Sequence, residues 1–197
     1  DLVVEYGLKT IEYAESTGAL SGQYSVSGGA DGAAVYFFVG LAYFNGKNDI
    51  DAAMLYLEKA LKMSEEYFEQ GVICNIPELV MACYCYASCL QVKGYLYEAG
   101  EYLERAMSLY EEHLSDDNSY RNMYTAAGLY MELGKNYMMK DDEDSLNSAL
   151  EYLHKSRALL DRIIEETPTI ESTLYCDYAR LYSLAAVCYD EFGELAL

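Results

Sequence analysis

Tryptophan is absent from this 197-residue chain, and proline and histidine occur twice each. Proline breaks helix interiors, so its scarcity permits long helices over most of the length. Histidine is the commonest acid–base side chain near neutral pH, and His113 and His154 both fall in the outer helices of the pattern described below. The chain also lacks G-x-x-x-x-G-K-[ST], G-x-G-x-x-G, H-E-x-x-H and G-x-S-x-G, the local patterns of phosphate binding, zinc binding and nucleophilic catalysis. No enzyme constellation is expected, and no cofactor is implied.

Basic residues are scarce as well. Thirteen Lys and Arg stand against 33 Asp and Glu, a net charge of −20. Nucleic acids and anionic membranes both need clustered cations, so neither is expected as a partner. The acid keeps a tyrosine-rich surface in solution, or faces a basic partner. The longest apolar stretch, Leu79 to Leu90, has 12 residues with Ser88 inside it. That is short of the roughly 20 needed to cross a bilayer as a helix. No signal peptide is visible, and the start at Asp1 is expected of a piece of a longer protein.

The six cysteines (Cys74, Cys83, Cys85, Cys89, Cys176 and Cys188) include no C-x-x-C knuckle and have no His beside them, so a metal site is not expected. Three of them crowd one apolar segment among Ala and Tyr, where thiols act as small buried hydrophobes. Reduced thiols point to a cytoplasmic location. The acidic run Asp141 to Asp144 lacks the alternating acids and central Gly of a calcium loop and reads as a helix start. Ser27 to Gly32 has no Lys nearby and reads as a linker, not a phosphate cradle.

An apolar fraction of 52% with 23% charged residues excludes bulk disorder. The 22 Tyr against 5 Phe suit half-buried helix faces, where the ring packs and the hydroxyl reaches a polar group. One pattern recurs along the chain: an apolar residue, a small one, then Tyr or Leu three residues later. It occurs at Val39, Gly40 and Tyr43; at Tyr86, Ala87 and Leu90; at Leu133, Gly134 and Tyr137; and at Ala185, Ala186 and Tyr189. The first three are each followed by Ala, a Leu four later and a small residue three after that: Ala53, Leu57 and Ala60; Ala99, Leu103 and Ala106; Ala149, Leu153 and Ser156. Spacings of three and four put these residues on one helix face. A small residue on the first helix then admits the Leu of the second at a close crossing.

The run Ala87, Leu90, Gly94, Ala99, Leu103 and Ala106 resembles a tetratricopeptide repeat. The hairpins around Gly40 and Gly134 are similar, with one and three residues inserted in their turns. Tyr36, Cys83, Tyr130 and Tyr182 stand where that family usually has Trp, and the small positions lie 47, 47 and 52 residues apart against a usual period near 34. HEAT-type repeats, with periods of about 40–47, are the alternative. The resemblance implies an all-α, right-handed superhelical solenoid of antiparallel helix hairpins, about eight helices in a single domain over residues 1–197. A leading helix at 1–15 precedes hairpins at 33–70, 77–113 and 119–166, and a half repeat at 169–192 follows. Residues 16–32 read as the loosest segment.

The family binds ligands along its first helices, so the resemblance implies a protein- or peptide-binding scaffold or adaptor without catalysis. Carried over by position, the groove residues are Phe37, Leu41 and Phe44, then Tyr84, Ser88 and Gln91, then Met131, Lys135 and Met138. Relatives that grip the acidic tail of heat-shock chaperones use several cations here, and this groove has Lys135 alone. An apolar or amphipathic peptide segment fits better. Two other uses of the same residues stay open: packing against neighbouring hairpins, and self-association. A sensory or regulatory repeat domain of a larger bacterial signalling protein, such as one carrying a protein kinase, is the alternative function.

Overall fold

The computed structural model describes residues 2–17, 32–69, 76–140, 143–166 and 172–191. Among them are eight α-helices and no strand: α1 (Leu2–Thr17), α2 (Gly32–Ala42), α3 (Ile50–Glu69), α4 (Ile76–Lys93), α5 (Leu96–His113), α6 (Tyr120–Met138), α7 (Glu143–Glu166) and α8 (Ser172–Glu191). The all-α class and helix number expected from the repeats are what the chain adopts. Most of the loose segment, the Ser27–Gly32 linker except Gly32, Cys74, Pro168 and the first two residues of the Asp141 run lie outside the described residues. No helix among those described is long and apolar enough to cross a membrane.

The helix ends follow from local chemistry. Asp49 accepts the Ala52 amide at 3.1 Å ahead of α3. Ser119 caps α6 by accepting the Asn122 amide at 3.4 Å, while Asp117 accepts the Ser119 amide at 2.9 Å. Pro77 sits in the first turn of α4, where its missing N–H costs no helical bond. Gly94 turns the chain between α4 and α5 with φ +84°, a conformation that favours glycine. The residue inserted after Gly40 is absorbed by a π-helical turn, Tyr43–Lys47, closed by Asn48 at φ 52°. Widening one turn takes up an extra residue without moving the face that Gly40 presents.

The chain divides into two compact units, Asp1–Tyr95 and Leu96–Leu197. In the first, α1 and α3 both pack on α2, and α4 packs on α3 and touches α2. A Cβ at Gly40 would stand 2.8 Å from Leu57 Cγ and 3.1 Å from its amide nitrogen, so only glycine lets α3 cross this close. On the other side of α2, a Cβ at Gly7 of α1 would collide with Val39 Cγ2. The second-helix spacing Gly7, Ile11 and Ala14 thus belongs to a helix that packs as a second helix does, with Ile11 buried.

In the second unit α6 packs on α5 and α7, and α8 lies against α7 and α6. A Cβ at Gly134 would meet Leu153 Cδ2 at 2.9 Å and the Ala149 carbonyl at 3.1 Å. Below that crossing the Ser156 hydroxyl donates to the Ala127 carbonyl at 2.8 Å. The core joins Ala127 and Met131 of α6 to Leu153, Leu160 and Ile163 of α7 and Leu174 and Leu181 of α8. Asn136 is fully buried and donates to the Leu96 carbonyl at 3.1 Å, tying α6 to the start of α5. Ala87, the small residue of the middle repeat, is fully buried too.

Candidate functional site

The hairpins share a device built from tyrosine. The rings of Tyr36 on α2 and Tyr43 in the π-helical turn after it flank Tyr56 of α3, with centroids 6.4 and 5.5 Å away. On α6, Tyr130 and Tyr137 flank Tyr152 of α7 at 6.2 and 5.5 Å. A Lys from the second helix lies over the first ring in both: Lys59 is 5.2 Å from Tyr36, and Lys155 is 5.9 Å from Tyr130.

Tyrosine hydroxyls also tie successive helices together by donating to carboxylates. Tyr36 reaches Glu15 of α1 at 2.8 Å, Tyr137 reaches Glu104 of α5 at 3.1 Å, and Tyr178 of α8 reaches Asp161 of α7 at 2.5 Å. Burial, then the carboxylate partner, pushes Tyr36 and Tyr137 up to about 12 and moves Tyr178 in the same direction. These hydroxyls hold their protons, so they brace the stack and do not serve as bases near neutral pH.

The first-helix positions expected to meet a partner are distributed unevenly in depth. On α2, Phe37 is buried and Leu41 half-buried, and Phe44 is half-buried in the π-helical turn that follows. On α4, Tyr84 is half-buried, and Ser88 and Gln91 are buried, with the Ser88 hydroxyl spent on the Tyr84 carbonyl at 3.0 Å. On α6, Met131 lies in the core, Met138 packs half-buried against it, and Lys135 is partly exposed. The first six residues belong to one unit, and the last three share a face of α6 in the other.

Several exposed apolar side chains stand next to them or on the later first helix α8. Phe38 is 51% exposed, with its ring tilted on Phe37 at 5.2 Å, and Val92, Met139 and Val187 are 63%, 39% and 46% exposed. Spacing alone misses them because one residue of error turns the chosen face by about 100°. A second feature is absent from the sequence reading. Glu132 of α6 is 2% exposed, yet its carboxylate takes Lys135 Nζ at 3.2 Å and the Arg180 guanidinium of α8. Two cations thus share one buried carboxylate of α6. The Glu132–Arg180 pair spans 48 residues, and no local pattern announces it.

Reactive chemistry is not gathered anywhere described. Cys83, Cys85 and Cys89 are buried within α4, and burial pushes the Cys89 thiol up to about 11, far from a reactive thiolate. His113 and His154 are exposed. Among the described residues no three His, Cys, Asp or Glu side chains are arranged to hold a metal ion. A cavity of about 530 Å³ lies between α7 and α8, lined by Leu150, His154, Arg157, Tyr182, Ala186 and Tyr189.

No protein-family profile and no curated protein matches this sequence. Among solved structures, the chain is similar to a Podosopora anserina protein described as a kinesin light chain with nearly identical TPR-like repeats. The TM-score is 0.57 at 17% identity, over 98% of this chain and 84% of that one. A single-residue variant of the same protein gives 0.58 over the same shares. The fold is tetratricopeptide-like. At this identity the likeness concerns architecture. It agrees with the small-residue crossings at Gly40 and Gly134, which a tetratricopeptide-like hairpin requires.

Proposed function

We propose that this chain is a protein-binding scaffold that performs no chemistry of its own and holds an apolar or amphipathic segment on its first-helix faces. The observation that carries the reading is an exposed apolar residue at each first helix: Phe38 on α2, Val92 on α4, Met139 just beyond α6 and Val187 on α8. Each lies roughly 100–200° around its helix from the small residue of the repeat. Apolar side chains held out into solvent in this way are the composition of an interface. Half-buried residues accompany them within each unit: Leu41, Phe44 and Tyr84 in the first and Met138 in the second. Phe37, Ser88, Gln91 and Met131 are buried.

The test uses exposed positions, because Ser at Phe37 or Met131 would damage the core. One double variant carries Phe38→Asp and Val92→Asp, and another carries Met139→Asp and Val187→Asp. Both are expected to keep the helical circular-dichroism signal and melting temperature. Peptides selected against the unsubstituted protein by surface display are expected to lose at least tenfold in affinity for one or both variants. Undiminished binding of every selected peptide to both would rule out the first-helix faces.

A further inference from the structure

Glycine inside a helix costs stability relative to alanine, so each one calls for a reason. At Gly7, Gly40 and Gly134 the reason is a neighbouring helix that a Cβ would strike. Gly128, in the middle of α6, meets nothing of the kind. A Cβ there would find no atom of the described residues within 4 Å beyond its own stretch of helix backbone. Packing of the chain on itself does not require this glycine.

Its surroundings are nevertheless built. One turn before it, the Tyr124 hydroxyl donates to Asp177 of α8 at 2.7 Å. One turn after it, Glu132 takes the Arg180 guanidinium of α8. Residues four apart lie about 40° from one another around a helix, so Gly128 sits between the two ties and forms a notch there. The notch belongs to the first-helix face of this unit. Met139, exposed just beyond α6, lies roughly three turns further on and about 20° around from Gly128.

Both sides of the notch suit a ring. On one side Tyr124 is stacked with Tyr120, their centroids 5.8 Å apart and their planes 9° from parallel. On the other, the Arg180 side chain is 42% exposed. A guanidinium held at its edge by a carboxylate still stacks on an aromatic face.

We propose that Gly128 seats an aromatic side chain (Phe, Tyr or Trp) of the segment held on the first-helix faces, with the ring between Tyr124 and Arg180. The seat rests on the function proposed above, since it receives part of the same segment. The missing Cβ lets the ring approach the α6 backbone, and a larger residue fills its place. A chain of net charge −20 repels an acidic segment, so the residues flanking the aromatic are neutral or basic.

The probes are peptides selected by surface display against the unsubstituted chain and weakened by the Met139→Asp, Val187→Asp double variant. They are expected to carry an aromatic residue and to lose at least tenfold in affinity for Gly128→Leu. Replacing that aromatic by Ala is expected to cost as much in the unsubstituted chain and far less in Gly128→Leu, because both changes remove one contact. The melting temperature is expected not to fall in Gly128→Leu, and to rise by about 1–4 °C in Gly128→Ala. The seat is overturned, with the first-helix reading intact, if these peptides bind Gly128→Leu undiminished or if the cost of the aromatic is equal in both proteins. A fall in the melting temperature of Gly128→Leu overturns it too, since α6 would then need the glycine for packing. So does a selection in which every peptide depends on Phe38 and Val92 alone. Undiminished binding of every peptide to both aspartate variants removes the first-helix reading itself, and the seat with it.

Discussion

Helices α6 and α8 present the same sequence of tyrosine, small residue and tyrosine, and they meet different fates. On α6 the small residue is a steric necessity: anything larger than hydrogen at Gly134 drives into Leu153 and the Ala149 carbonyl. On α8 the corresponding Ala186 already carries a methyl group and stands exposed. The small residue is therefore a permission and not a force. It lets a second helix approach, and the attraction comes from the Leu, Tyr and Lys that the second helix brings. The first unit agrees, since Gly40 is closed by Leu57 with the same arrangement of rings around Tyr56.

The sharpest way to break the comparison is to make one substitution at both sites. Gly134→Leu is expected to lower stability by roughly 3 kcal/mol, the upper part of the usual cost of overpacking a core. Ala186→Leu, at an exposed position, is expected to stay within about 0.5 kcal/mol of the parent. Urea unfolding followed by circular dichroism measures both. Equal losses would mean that α8 is as tightly crossed as α6 and that the contrast is false. A smaller effect probes the α6–α7 crossing itself. Ser156→Ala removes the buried bond to the Ala127 carbonyl and is expected to cost about 1 kcal/mol. A neutral result would show that the Leu153 contact alone sets the register.

These crossings were legible in the sequence because they depend on residues three and four apart, which any helix places together. Gly40 with Leu57 and Gly134 with Leu153 needed no knowledge of the rest of the chain. Helix ends were nearly as accessible: the acidic run Asp141 to Asp144 reads as a helix start, and α7 begins at Glu143. The depth of each first-helix residue was not accessible. Phe37 and Phe38 differ by a single step in the chain, yet the packing around α2 buries one and exposes the other. The Glu132, Lys135 and Arg180 cluster and the tyrosine-to-carboxylate ties were hidden for a different reason. Apart from Glu132 with Lys135, they join residues 17 to 53 positions apart, and composition alone shows only that Tyr and acid are abundant. Their pairing explains part of why one chain is rich in both.

That pairing has a consequence at high pH, where α6 and α8 should behave alike because both are tied through tyrosine. Tyr137 and Tyr36 hold their protons up to about 12 in the folded chain, against an ordinary value near 10. A tyrosine that binds its proton more tightly when folded contributes stability that is intact below pH 10. That contribution disappears as pH rises through the folded value, because the unfolded chain ionises first. Stability is thus expected to be level from pH 8 to about 10 and to fall between about 10 and 12, with absorbance at 295 nm reporting tyrosinate as the helical signal declines. Tyr137→Phe removes one tie, and because that tie is partly exposed its cost at pH 8 is expected to be only about 0.5 kcal/mol. The variant should also lose less than the parent between pH 10 and 12, since one strongly shifted proton is gone. An alkaline decline of the same size in both proteins would show that the Tyr137 hydroxyl is not held by Glu104 and that ring packing alone joins α5 to α6 at this point.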